Sequence, residues 1–245
     1  MLELWIAHHS IDAWQEPSRW TAYFEEAQRL VGSPLTHLDV NDPVKRKVAS
    51  LADAGNYVCA FKAREDSRWL FGKFVDIGIE FSVQHYRQLG HYPNTLKWHV
   101  PLSFVEKPEN RQRLKALFDL GNQAFKPFYA YADDVAQIAS KKKSSGAVDI
   151  QAELLGVFWL TYFNAAYVEF FGKEKFNGFP GVEHGSDGSI TIVLGGSPQS
   201  VTSGLREQSA ETLGKQSFVN PSDILGKQRG RFALTFQQLL AARCR

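Results

Sequence analysis

Alternating apolar and polar residues mark the clearest strands of this chain. In the stretch 73–86, one face carries the residues Ile77, Ile79, Phe81, Val83 and His85, and the intervening positions are mostly polar. A period of two over this length predicts a half-buried strand. A second alternating stretch, 96–100, follows a loop with Pro93 and Asn94, so the two strands are predicted to pair as an antiparallel hairpin. Further strands are predicted around Leu4 and Ile6 and at 190–194.

Apolar residues recur at helical spacing in other stretches. Helices are predicted from Pro17 to Val31, from Pro108 to just before Pro127, and from Leu205 to Leu213. A shorter helix is predicted after Asn164, whose side chain suits an N-cap, and Gly172 is expected to end it. The mixed stretch Lys45–Ala54 is predicted to form one more short helix.

The arrangement of these elements predicts an α+β fold. Helices and strands are interspersed, and at least one hairpin is antiparallel, which favours antiparallel sheets with helices packed on one face over a doubly wound parallel sheet. Residues 1–245 are interpreted as a single domain. It divides into two lobes, 1–140 and 147–245, if the polar stretch Lys141–Gly146 is a boundary. The alternative that the two lobes are similar halves stays open, although no residue pattern repeats at a fixed period to support it.

Composition indicates an ordinary folded protein. The chain has 245 residues, of which 44% are hydrophobic and 13% aromatic. Its 28 basic and 26 acidic residues give a net charge of +2, so no general attraction to nucleic acid or to an anionic membrane is expected. No run approaches the roughly 20 apolar residues of a membrane span. The N-terminus lacks the basic region of a signal peptide, and Cys59 and Cys244 favour a reducing compartment. A cytoplasmic location is therefore expected.

Candidate chemistry is sparse in this sequence. His8, His9 and Asp12 follow the first strand, and imidazole with carboxylate can bind a divalent metal. A metal-dependent hydrolase is therefore one hypothesis, although the sequence supplies no evident third or fourth ligand, and loop residues give the simpler interpretation. A nucleophile elbow and a Cys-x-x-Cys pair are missing from the sequence. The chain is accordingly predicted to be a binding protein, not an enzyme, with no catalytic residue, metal or cofactor.

Four residues are candidates for contact with a partner protein. Tyr129, Tyr131, Asp133 and Asp134 together form an acidic stretch that bears tyrosines. Such a surface suits a basic partner. The alternative is a helix N-terminus, where aspartate interacts favourably with the helix dipole.

One segment resembles a motif of bacterial immunity proteins, which guard cells against polymorphic or type VI-secreted toxins. The matching runs are Trp159-Leu-Thr-Tyr-Phe163 and Tyr167-Val-Glu-Phe-Phe-Gly172, and the likeness extends over roughly 105–220. The motif is hydrophobic and therefore moderately specific. This chain has Asn164 where those families often have glycine.

The resemblance implies a cytoplasmic binder that neutralises a cognate toxin by occlusion. Such proteins need a complementary surface and no catalytic group. The near-neutral charge does not favour a basic nuclease as the partner over another toxin type. A structural protein of a secretion or phage-related system is a further hypothesis, and a homodimer is compatible with each of the three.

Overall fold

The chain has an α+β fold with antiparallel strands, as the sequence predicts. The computed structural model describes residues 3–61, 65–88, 92–141, 148–220 and 233–243. The chain divides into two compact units, Met1–Ala130 and Tyr131–Arg245. This division precedes the Lys141–Gly146 stretch that suggested a boundary in the sequence. Residues 142–146 of that stretch lie outside the described residues.

The first unit combines a five-stranded sheet with helices. Its strands are β1 (Glu3–Ser10), β2 (His37–Asp39), β3 (Ser67–Phe74), β4 (Ile79–Tyr86) and β5 (Asn94–Pro101). Its helices are α1 (Pro17–Val31), α2 (Leu51–Cys59), α3 (Leu102–Val105) and α4 (Pro108–Phe125). The strand order is β2-β3-β4-β5-β1. Neighbouring strands pair antiparallel in a register that sets Phe81 opposite Trp98 and Ser82 opposite Lys97.

Helices α1, α2 and α4 pack on one face of this sheet. Phe24 of α1 lies 5.5 Å from Phe81 between ring centroids, and His85 contacts the carbonyl of Val58 in α2 at 2.9 Å. Helix α4 approaches so closely at Gly121 that an added Cβ would lie 2.3 Å from His8 Nε2. All of these strand residues belong to the buried alternation of the sheet. The core of the unit is therefore one layer of helices on one layer of strands.

The second unit is built from shorter elements. Its strands are β7 (Leu160–Phe163), β8 (Val182–His184) and β9 (Ile190–Val193), in the order β7-β9-β8. Its helices are α5 (Val135–Ala139), α6 (Ala165–Phe171), α7 (Ser203–Leu213) and α8 (Phe236–Ala242). Strand β6 (Tyr129–Asp134) crosses the division between the units. The cap predicted at Asn164 is confirmed, since its side chain accepts a hydrogen bond from the Tyr167 N–H at 3.1 Å.

Two sequence predictions differ from the structure in this fold. The predicted strand at 73–86 is interrupted, because Val75–Ile77 form a 3-10 turn that ends at Gly78 in the left-handed conformation, φ 64°. Residues 67–74 belong to the separate strand β3. The helix predicted at Lys45–Ala54 begins instead at Leu51, where the Ser50 side chain caps it.

Candidate functional site

The four predicted partner-contact residues do not form a surface. Tyr129 and Asp133 are fully buried, and Tyr131 is 7% exposed. Asp134 is partly exposed and caps α5, accepting a hydrogen bond from the Ala136 N–H at 2.8 Å. The prediction of an acidic, tyrosine-bearing edge for a basic partner is therefore corrected. The alternative of a helix N-terminus is confirmed for Asp134.

Asp133 instead forms a buried ion pair within the second unit. The Arg206 guanidinium donates to both carboxylate oxygens, from Nε at 2.7 Å and from Nη2 at 2.8 Å. The backbone N–H groups of Trp159 and Asp134 donate to the same carboxylate at 3.0 and 2.8 Å. Burial raises the pKa of Asp133, whereas Arg206 and the two N–H groups act in the opposite direction. This network is structural, because it joins β6, α7 and the start of the resemblance motif.

A pocket of about 510 Å³ lies beside Arg206 in the second unit. Its lining mixes the apolar side chains Leu155 and Val157 with Lys141 and Glu207, which carry opposite charges. Arg206 already donates to Asp133, Val201 and Pro198, so its hydrogen-bonding capacity is largely used. The residues that line the pocket therefore do not favour one chemical class of ligand.

The predicted metal cluster does not assemble. His8 and His9 are consecutive residues of β1, so their side chains leave the strand on opposite faces. His8 is buried and its Nε2 contacts the Phe118 carbonyl at 3.0 Å, whereas His9 stacks on Tyr129. Among the described residues, no three His, Cys, Asp or Glu side chains group as metal ligands would. The hypothesis of a metal site at His8, His9 and Asp12 is therefore not supported, and the simpler interpretation as loop residues is wrong for His8 and His9, which lie in β1.

The sheet face opposite the helices is the candidate interaction surface. Its partly or fully exposed residues alternate with the buried ones along β3, β4 and β5 and over residues 3–6 of β1. We call this surface the open face, and its residues are Glu3, Trp5, Trp69, Phe71, Lys73, Glu80, Ser82, Gln84, Thr95, Lys97 and His99. Trp69 is 50% exposed. An exposed tryptophan on a sheet face is a notable feature, because large aromatic residues are usually buried.

Aromatic residues of the open face are held in defined positions. Trp5 donates from Nε1 to the Glu3 carboxylate at 3.2 Å, and Lys97 Nζ lies 3.0 Å from the centroid of its ring. The edge of the His99 ring packs against Trp5 at 5.4 Å. On β3, Trp69 and Phe71 stack at 6.5 Å. This face therefore carries aromatic rings in ordered positions.

The sequence analysis did not identify the open face. Trp5 was visible at a polar position of the first alternating stretch. Trp69 and Phe71 were hidden, because these two outward aromatic residues make 69–72 continuously apolar, without the alternation expected of a half-buried strand. Aromatic residues that occupy the same alternate positions of a strand as polar residues are the signal that can identify such a face.

Comparisons with known proteins identify a shared fold. No family model matches the chain, and neither does any curated protein sequence. Among solved structures, the chain is similar to the Pseudomonas aeruginosa T6SS protein PA0821. The similarity has a TM-score of 0.60 at 14% sequence identity, and it covers 98% of this chain and 83% of that one. At this identity the likeness establishes the fold alone. In the described part of the chain, no helix has the length and apolar character to span a bilayer.

Proposed function

We propose that this chain is an immunity protein of a type VI secretion system, and that it neutralises its cognate toxin by binding it. The open face is the observation that carries this proposal. A protein that neutralises a toxin by covering it needs an accessible surface of its own, and aromatic side chains on that surface can be buried against the toxin. Tryptophan and tyrosine are enriched among the residues that contribute most to protein interfaces.

Two further observations support the proposal. The runs 159–163 and 167–172 resemble the motif of immunity proteins. The fold is shared over 98% of the chain with a T6SS protein. The sequence resemblance is independent of the open face, since both runs lie in the second unit.

A protection assay tests the proposal. The chain is co-expressed in a sensitive host with the toxin encoded by the neighbouring gene, and survival is compared with toxin alone. We expect survival to be restored, and the two purified proteins to form a complex during size-exclusion chromatography. No protection and no complex with any adjacent toxin would overturn the proposal.

A matched pair of variants links protection to the open face. Ser82 lies at the centre of this face, opposite Phe71 and Lys97 in the strand register. Ser82→Arg places a long charged side chain there and should abolish protection. Gln208→Arg makes a comparable change at an exposed position of α7, and it should protect like the wild type.

The same experiment distinguishes a structural protein of the secretion system. A structural protein would self-assemble at working concentration without the toxin and would give no protection. Analytical ultracentrifugation of the chain alone separates this outcome from neutralisation.

A further inference from the structure

Resting on the proposed function, we infer that the toxin docks on the open face through an apolar patch of low net charge. Trp5 and Trp69 would be the two principal contacts, and affinity would depend little on salt. The inference follows from the placement of the aromatic rings and from the pairing of charges on this face.

Trp69 offers the larger accessible aromatic surface. Its side chain is 50% exposed, and Phe71 stacks beside it on the same strand. At the same end of the sheet, Tyr86 stacks on Tyr92 with ring centroids 6.3 Å apart, and Tyr92 is 63% exposed. A partner that covers this end buries several rings at once. Such burial supplies most of the energy of a compact interface.

Trp5 offers a contact that is already ordered. Glu3, Lys97 and His99 each contact a different part of its indole ring. A side chain held in one position loses little conformational entropy when a partner binds. Trp5 is therefore already held in one position before a partner binds.

The two tryptophans lie diagonally across the open face. Strands β3 and β1 are three strand spacings apart in the order β3-β4-β5-β1, which corresponds to about 14 Å. The register also offsets Trp69 from Trp5 along the strands, because Trp69 is level with His9 of β1, and this offset adds about 13 Å in that direction. Ser82 and Lys97 pair between the two tryptophans on β4 and β5. A toxin surface that contacts both tryptophans therefore also covers this pair.

Charges on the open face balance one another. Lys73 Nζ pairs with Glu80 Oε1 across β3 and β4 at 2.7 Å. Glu3 lies 3.6 Å from His99 Nδ1, and Lys97 lies over the Trp5 ring. Two lysines and two glutamates thus leave this face without net charge. A strongly charged toxin surface gains little from such a face, whereas a weakly charged apolar surface matches it.

Titration calorimetry with the purified toxin encoded by the neighbouring gene tests the inference. The Kd should change less than about threefold between 50 and 500 mM salt, because no net field steers or holds the partner. Trp69→Ala and Trp5→Ala should each weaken binding at least about 30-fold, the effect of losing a principal contact. Trp69→Phe should restore much of the affinity.

An exposed aromatic residue elsewhere gives the matched control. Phe170 in α6 is 44% exposed, and Phe170→Ala should leave the Kd unchanged. Circular dichroism of each variant checks that the fold is retained.

Each remaining outcome overturns the inference in a recognisable way. If the toxin binds but the tryptophan variants bind like the wild type, or salt weakens binding more than about threefold, the inference fails and the proposed function stands. If the toxin neither binds nor is neutralised, both fail. If Trp69→Ala dissociates a homodimer while toxin binding is unchanged, a second copy of the chain occupies the open face.

Discussion

Arg206 donates two hydrogen bonds to the carboxylate of Asp133, 73 positions earlier in the chain. The Arg206 side chain is 3% exposed and that of Asp133 is fully buried. A buried ion pair of this kind adds little net stability over apolar residues, but removing one partner leaves a buried charge uncompensated. The pair therefore makes the second unit sensitive to the loss of either residue.

Removal of the guanidinium should strongly destabilise the protein. For Arg206→Leu we expect the free energy of unfolding to fall by about 3–5 kcal/mol, measured by urea denaturation at pH 7. Lys215 and Glu211 form an ion pair at 3.0 Å on the surface of the same unit. Lys215→Met should cost less than about 1 kcal/mol. Equal effects of the two substitutions would contradict the structural role of the buried pair.

Stability should decline as the pH falls below about 6.5. Burial lowers the pKa of His8 and of His85 from 6.5 to about 4. Between these values the unfolded chain binds protons that the folded chain does not, so acid favours unfolding. Each histidine should reduce the free energy of unfolding by about 1.4 kcal/mol per pH unit in this window.

Urea denaturation at pH 7, 6 and 5 measures this dependence. His85→Gln should reduce the slope by the contribution of one histidine. A free energy of unfolding that is constant from pH 7 to pH 5 would show that burial does not hold these histidines neutral.

The close approach of α4 to β1 leaves no room for a methyl group at Gly121. In Gly121→Ala, the added carbon would lie 2.3 Å from His8 Nε2. We expect a loss of about 1–3 kcal/mol despite the higher helix propensity of alanine. A Cβ at Gly196 meets no atom within 4 Å, so Gly196→Ala is the matched control. Thermal unfolding of both variants checks the prediction, and a Gly121→Ala variant as stable as the control would refute it.

The N-cap of α6 predicts an unusual order of substitutions. Asn164→Ala removes the acceptor for the Tyr167 N–H and should cost about 1 kcal/mol. Asn164→Gly should cost only a few tenths of a kcal/mol, because glycine is itself tolerated at this position. That order agrees with the glycine often found there in the immunity proteins that this segment resembles. Chemical denaturation of both variants would reveal a reversed order.

Much of the fold could be predicted because its local signals agree with its tertiary contacts. Proline at the first turn of α1 and α4, the Asn164 cap and the alternation in β4 each coincide with the observed element. His85, which the alternation places on the same face as Phe81 and Val83, is buried and contacts the Val58 carbonyl.

The candidate site could not be predicted because its signals are not local. Tyr131 and Asp133 are residue types that are common in binding surfaces, but contacts with residues distant in the sequence bury them. Tyr131 packs on Phe158 at 4.9 Å, and Asp133 pairs with Arg206. Conversely, tryptophan is a residue type that is usually buried, but Trp69 lies on the surface. Whether an aromatic side chain is buried depends on the layer that covers its strand, and sequence spacing alone does not specify that layer.

One-sided packing of the first unit separates two sets of residues that share the same strands. The odd-numbered residues of β3 and the even-numbered residues of β4 face outward, whereas the residues between them face the helices. Substitutions in the outward set leave the helix-facing residues untouched. Such an architecture allows the chemistry of the outer surface to vary without repacking of the buried core.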